Sequence, residues 1–127
     1  MLIVQFILFS LTGYSLGYPF QSDISAQIYQ SFRAGNAKEL VKSFSDNISL
    51  TINKDENYYT KFQSEVTLAD FFRANNVTSV KEIQKKLSAS NNSYLVYELK
   101  TSNKTFRVFI RVVESNKQYK ISELRIE

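Results

Sequence analysis

"FRAGNAKELVKSFSDNISLTI", residues 32–52, begins with helical spacing and ends in strict alternation. Just before and into it, Ile24, Ile28 and Phe32 recur every fourth residue, which puts three apolar side chains on one helix face, with Ser22 or Asp23 placed to cap the start. Gly35 stops that helix, because glycine enters the left-handed conformation of a helix end without a Cβ clash. Asn36 opens a second helix, with Glu39 three residues on as the return partner of a capping box. Leu40, Val41 and Phe44 form the apolar face of this second helix. Ser45-Asp46-Asn47 breaks it, and Ile48, Leu50 and Ile52 then alternate with Ser49, Thr51 and Asn53, the pattern of a strand buried on one side. The stretch predicts a helical hairpin that runs directly into a sheet.

Downstream, "KDEN" at 54–57 reads as a turn and Tyr58-Tyr59-Thr60 as a short second strand. Thr60 and Gln63 have capping-box spacing and open a helix over 61–75, with Phe62, Val66, Ala69 and Phe72 on one face and Leu68 and Phe71 widening it. Residues 77–88 are two-sided: Val80, Ile83 and Leu87 have helical spacing, yet the segment stands where the next strand belongs, and it is read as strand. From Ser93 onward, "SYLVYELKTSNKTFRVFIRVVESNKQYKISELRIE" gives three antiparallel strands joined at Asn-Lys turns. A two-residue turn at Asn103-Lys104 pairs Leu99 with Val108, Tyr97 with Ile110 and Leu95 with Val112 on one apolar face. Phe106 joins Val108, Ile110 and Val112 on that inward face, while Val96, Glu98, Lys100, Arg107, Phe109 and Arg111 take the other.

With 127 residues the chain has room for one domain, and 43% hydrophobic and 14% aromatic residues suffice for a core. The mixed charge argues against disorder. The net charge of +4 is a weak pull toward acidic partners, and its interleaving with acidic and apolar residues excludes a nucleic-acid signature. There is no cysteine, hence no disulfide, thiol catalyst or lipid-bearing cysteine. There is no histidine either, which removes the commonest general base and every His-based metal site. No metal or cofactor is indicated. The glycosylation-type triplets at Asn47, Asn76, Asn91 and Asn103 read as solvated turns in an Asn-rich chain.

No charged side chain precedes Asp23, and Leu2 to Leu11 is nearly all apolar. That run is far short of the roughly 20 residues a membrane-spanning helix needs, but it suits the apolar region of a secretory leader. Ser15-Leu16-Gly17 fits a small-x-small cleavage site, with Gly13-Tyr14-Ser15 as second choice, so residues 1–17 are read as leader and 18–127 as the single domain. The missing Lys or Arg ahead of the apolar run leaves a buried strand as the competing reading.

Two helices, a strand pair, a third helix and a long antiparallel run together resemble the nuclear transport factor 2-like superfamily. The resemblance implies an α+β cone in which a strongly curved sheet wraps the helices. More closely, "DISAQIYQSFRAGNAKELVKSFSDNISLTI", "ADFFRANN" and "TFRVFIRVVESNKQYKISELRIE" resemble the bacterial domain-of-unknown-function family 4783 over essentially the whole chain after the leader. The most specific pieces are "AGNAKEL", "SDN" before the alternating strand, and the terminal "LRIE"; "SVKEIQKKLSAS" fits the expected strand poorly. The family resemblance implies export to the periplasm or beyond and implies no catalytic residue.

The superfamily resemblance also implies where chemistry would sit, since its isomerase- and dehydratase-like members place an Asp or His base and Tyr or acid donors inside the cone. Here Asp70 is the conceivable base and Tyr29, Tyr97 or Tyr119 the donors; a place on the solvated helix edge is the favoured reading of Asp70. Glu123 and Arg125 depend on register. A tight turn at 116–117 puts them inward with Ile110, as a polar lining, whereas a bulge of one residue turns Leu124 and Ile126 inward and sends both charges to solvent. Two buried charges cost more than two buried aliphatic side chains return, which favours the bulge. Tyr29, Asp70, Tyr97, Ile110, Tyr119, Glu123 and Arg125 are therefore the candidate lining of the cone. On the other sheet face, Val96, Phe109 and Arg111 are a candidate homodimer surface, in line with the sheet-to-sheet dimers the superfamily resemblance implies.

The expected role is an exported, non-catalytic module that binds a small apolar ligand or a protein partner, with no nucleic acid and no stable membrane span. A small Asp-Tyr enzyme and a purely structural dimerisation domain are the alternatives. Protein recovered from an exporting cell should begin near Tyr18 by mass spectrometry; intact Met1 in the soluble fraction would contradict the leader.

Overall fold

The structure, a computed structural model, describes residues 20–88 and 92–127. The expected leader and cleavage site, and Asn91, lie outside the described residues. Helix α1 (Phe20–Ala34) starts earlier than its expected cap, so Ser22 and Asp23 lie within the helix. It buries Ile24, Ile28 and Phe32. Gly35 has φ +62°, its N–H donates to the Phe32 carbonyl at 3.0 Å, and the Asn36 N–H donates to Ser31 at 2.9 Å. These two bonds form a Schellman motif, which satisfies carbonyls the helix end would orphan.

Asn36 then caps α2 (Ala37–Val41), its side chain accepting from the Glu39 N–H at 3.1 Å. The reciprocal half of the expected capping box is not made. The Asn36 N–H is already committed to Ser31, and the Glu39 carboxylate pairs with Lys42 at 2.6 Å instead. Helix α2 is only five residues long, and Phe44 is buried from the first position of strand β1 (Phe44–Ile52) rather than from the helix. Residues 45–47 therefore belong to the strand instead of breaking the helix.

The turn after β1 is Asn53-Lys54, with φ of 52° and 74°, so β2 (Asp55–Thr60) includes residues expected in the turn. Positive φ at both central positions is the tight hairpin geometry whose twist matches the strands. Thr60 and Gln63 complete a full capping box at the start of α3 (Lys61–Ala74). The buried face of α3 is Ser64, Leu68, Phe71 and Phe72. Phe62 and Val66, expected to face the core, are 74% and 48% exposed. The core-facing stripe is rotated so that Leu68, Phe71 and Phe72, three and four residues apart, meet the sheet and α1 together.

Residues 77–86 form strand β3 (Val77–Lys86), with two register irregularities that explain the poor alternation of "SVKEIQKK". It is followed by β4 (Ser93–Thr101), β5 (Thr105–Ser115) and β6 (Gln118–Ile126). The six strands are ordered β2-β1-β6-β5-β4-β3, with β1 and β6 parallel and all other neighbours antiparallel. β3 is an edge strand whose second half is exposed and carries Lys81, Glu82, Lys85 and Lys86; charges and bulges at an edge discourage further strand pairing.

The β4–β5 register differs from the expected one by two residues: Leu99 faces Phe106, Tyr97 faces Val108 and Leu95 faces Ile110. A shift of two preserves the faces, so Phe106, Val108, Ile110 and Val112 are all buried. Asn103-Lys104 is not a two-residue turn. The Thr101 hydroxyl accepts from the N–H groups of Asn103 and Lys104, and the Asn103 amide donates to Ala74 O at 2.7 Å and Asn75 Oδ1 at 2.9 Å, which draws the loop onto the end of α3. The β5–β6 turn, by contrast, is tight, with φ of 52° and 62° at Asn116 and Lys117.

In β6 the register shifts between Val112–Ile121 and Arg111–Glu123, leaving Ser122 as an extra residue. Ile121, Leu124 and Ile126 are all fully buried as a result, while Glu123 and Arg125 lie on the opposite face. The helices cover the apolar face, and the core runs from Ile24 and Phe32 through Phe71 and Phe72 to Tyr97, Val108 and Leu124.

Gly35 is the position where this hairpin requires glycine. A Cβ there would approach Phe72 no closer than 3.8 Å, so the strain of Gly35→Ala is backbone strain alone. It should destabilise the domain by roughly 1–2 kcal/mol, and Gly35→Asn by less, since Asn tolerates the left-handed region. Asn36→Ala should cost about 0.5–2 kcal/mol. Urea midpoints of the three variants check these outcomes.

Candidate functional site

The interior is a stack of rings. Phe106 of β5 meets Phe71 edge-on at 5.1 Å, Phe71 meets Phe72 at 5.6 Å, Phe72 meets Phe32 of α1 at 5.9 Å, and Phe32 lies 6.4 Å from Tyr97 of β4. Edge-on aromatic pairs add to the stabilisation their buried area supplies. The Lys104 ammonium closes one end of the stack, 4.8 Å from the Phe106 ring centre. Ile110 is fully buried, with Leu95 and Leu124 opposite it on the neighbouring strands.

Tyr97 is the only ionisable side chain in the buried set among the described residues. Its hydroxyl donates to the Ser25 carbonyl at 3.4 Å. Burial, and secondarily the Glu82 carboxylate, pushes its phenol well above the ordinary value near 10. It is held neutral as a core member with a satisfied hydroxyl.

The other candidates are dispersed. Asp70 is exposed on α3 and pairs with Arg73, one turn on, at 2.5 Å. Tyr29 and Tyr119 pack half-buried against the core from α1 and β6. Glu123 and Arg125 belong to a charge ladder on the outer face: Arg111 Nε lies 3.4 Å from Glu123, Arg125 3.9 Å from Glu123, and Arg125 3.0 Å from Glu127. Of the candidates, Tyr97 and Ile110 belong to the buried core, whereas Asp70, Glu123 and Arg125 lie outside it. Among the described residues no group of three His, Cys, Asp or Glu side chains is placed to hold a metal ion.

Two surfaces carry more than the sequence showed. On the outer face, Tyr94 stacks on Phe109 at 6.0 Å and 25°, Arg111 lies over the same ring, and Val96, opposite Phe109 on the neighbouring strand, is buried. At the end of the sheet where β6 begins, a pocket of about 330 Å³ opens between α1 and the β5–β6 turn, with Lys42, Lys117, Tyr119 and Lys120 among its lining residues. None of the described pockets is lined by Tyr97 or Ile110. Alternation on β4 and β5 places Val96 and Phe109 on this face, while the stacking of Tyr94 on Phe109 depends on the observed register. The lysine-lined pocket needed the position of α1 over the β6 turn, which no local pattern encodes.

The model of the family described as "Domain of unknown function (DUF4783)" matches residues 25–127. The chain belongs to the DUF4783 family. It is similar to the solved structure of a DUF4783 protein from Bacteroides uniformis, with 26% identity and a TM-score of 0.78 over 82% of this chain and 95% of that one. A DUF4783 protein from Bacteroides ovatus gives 25% identity and a TM-score of 0.75 over 80% and 91%. At 12% identity, an NTF2-like protein of unknown function from Silicibacter pomeroyi aligns with a TM-score of 0.62 over 85% and 93%, which shows the fold alone. No curated protein matches. The DUF4783 chain thus has the NTF2-like α+β fold, with a curved, unclosed sheet.

The raised Tyr97 value has a consequence for stability. Above about pH 10 the unfolded chain releases the Tyr97 proton while the folded chain keeps it, so stability falls as pH rises, by at most about 1.4 kcal/mol per pH unit. Urea unfolding between pH 9 and 11 should show a slope in the wild type that is shallower in Tyr97→Phe. Parallel slopes would contradict a neutral, buried Tyr97.

Proposed function

We propose that this chain is an exported, non-catalytic protein-interaction domain whose working surface is the outer face of the sheet and whose partner there is a second copy of itself. The observation that carries this reading is the Tyr94–Phe109 stack, with Val96 opposite Phe109 and with Glu98, Arg107, Arg111, Glu123 and Arg125 on the same strands around it. Aromatic and Arg side chains at the centre of a patch, with polar groups around them, are the composition of an association surface. Both charge signs are present on this face, so a self-complementary two-fold pairing can set Arg against Glu across the interface. A face six strands wide and about nine residues long offers on the order of 700 Å², near the roughly 800 Å² each partner gives to a standard interface.

The ring-filled interior favours interaction over catalysis. A general base works in a pocket that contacts substrate, and Asp70 is exposed beside Arg73 on α3 while the buried Tyr97 is held neutral. The apolar leader-like segment supports export, and no helix among the described residues is long and apolar enough to cross a membrane.

Phe109 stands outside the core, so Phe109→Glu should leave the melting temperature nearly unchanged while weakening self-association at least tenfold. Sedimentation velocity over a concentration series checks this. A wild type that remains monomeric throughout contradicts the reading.

A further inference from the structure

We propose that the pocket between α1 and the β5–β6 turn binds a phosphate-bearing ligand with a small apolar or aromatic body. Its charged lining is Lys42, Lys117 and Lys120, and no carboxylate lines it. Lys42 is partly neutralised by Glu39 at 2.6 Å. Lys117 and Lys120 have no ion-pair partner among the described residues. Lys120 and Gln118 also line a second pocket of about 270 Å³ beside it, where Lys61 adds a cation and Asp46 the only carboxylate. Glu114 stands across the strand pair from Tyr119, outside the lining of either pocket.

Chemistry narrows the anion. Ammonium groups are compact point charges that converge on a phosphate from several directions, whereas a planar carboxylate is better matched by the guanidinium fork, and the pocket contains no Arg. Ile24 and the Tyr119 ring give the same pocket an apolar wall for the body of the ligand. A volume of about 330 Å³ is at the small end of ligand sites, enough for one ring or short chain with its phosphate.

The geometry is held in place. The Gln27 side chain donates to the Glu39 carbonyl at 2.8 Å and accepts from the Ser43 hydroxyl, tying α1 to the segment that carries Lys42. The Ile121 N–H donates to the Ser43 carbonyl at 2.7 Å, fixing the start of β6 to the same segment. Lys117 occupies the second positive-φ position of the tight turn. The site does not depend on association through the outer face.

The test is an amide-resolved NMR titration of the purified protein at constant ionic strength with phenyl phosphate, inorganic phosphate and benzyl alcohol. A parallel flotation assay uses phosphatidylcholine vesicles with and without phosphatidylglycerol. Phenyl phosphate should give saturable shifts at Ser43, Gln118, Tyr119 and Lys120, and bind more tightly than inorganic phosphate or benzyl alcohol. The Lys117→Gln/Lys120→Gln variant should weaken it about tenfold or more. The control Lys54→Gln/Lys81→Gln, with the same net charge, should not. Vesicle binding that requires phosphatidylglycerol and both pocket lysines, without a saturable response to soluble phosphates, would identify a lipid headgroup as the source of the phosphate. Equal weakening in the two double variants, shifts away from the pocket, or no binding in either assay would overturn the proposal.

Discussion

A strand presents alternate residues to alternate faces, so Ile121, Leu124 and Ile126 cannot all reach one side unless the chain contributes an extra residue between them. Ser122 is that residue. Without the bulge, the face that buries Val108, Ile110 and Val112 would also receive Glu123 and Arg125, at an effective penalty of several kcal/mol per ion, and would lose Leu124 and Ile126, each worth about 1.5–3 kcal/mol. The Ser122 hydroxyl is buried without a protein partner, a small cost beside that alternative. β6 is also central in the sheet, antiparallel to β5 and parallel to β1, so its register sets how the first and last parts of the chain meet.

From this one register the two sides of the sheet take different roles. The inner side becomes predominantly apolar and is closed by α1 and α3 through the Phe32, Phe71 and Phe72 rings. The outer side receives Glu123 and Arg125, which complete a ladder with Arg111 beside the Phe109 ring. A chain with no histidine or cysteine has few routes to chemistry, and this partition removes Glu123 from the interior as well. The same bulge separates the outward charges from the tight Asn116-Lys117 turn, where Lys117 and Lys120 face α1 across an open pocket.

Much of this was legible because local and tertiary preferences agree. Gly35 and Asn36 punctuate the hairpin by backbone conformation alone, and the alternation of Phe106 to Val112 fixes the inner face whatever the exact register. The readings that failed did so where a distant group intervened. Asn103 looks like a hairpin turn residue, but its amide is used to bind the end of α3. Phe62 and Val66 carry a helical apolar spacing that Leu68, Phe71 and Phe72 also satisfy, and packing against α1 and the sheet, which sequence does not display, selects the second set. For Asp70, solvation and the local Arg73 pair follow from its helix position; Glu123 and Arg125 could be placed only by weighing the energy of two registers.

The bulge is directly measurable, because a chain without cysteine gives an unambiguous background for paired cysteine substitutions. In the structure Arg111 stands opposite Glu123, whereas an unbulged strand would set Arg111 opposite Ser122. Opposed positions on neighbouring strands have Cβ atoms about 4.5–5.5 Å apart, within reach of a disulfide under mild oxidation. The bulged register predicts that Arg111→Cys/Glu123→Cys crosslinks readily in the folded protein while Arg111→Cys/Ser122→Cys does not. The reverse result would mean that Glu123 and Arg125 face the interior, and would contradict both the filled cone and the charged outer face.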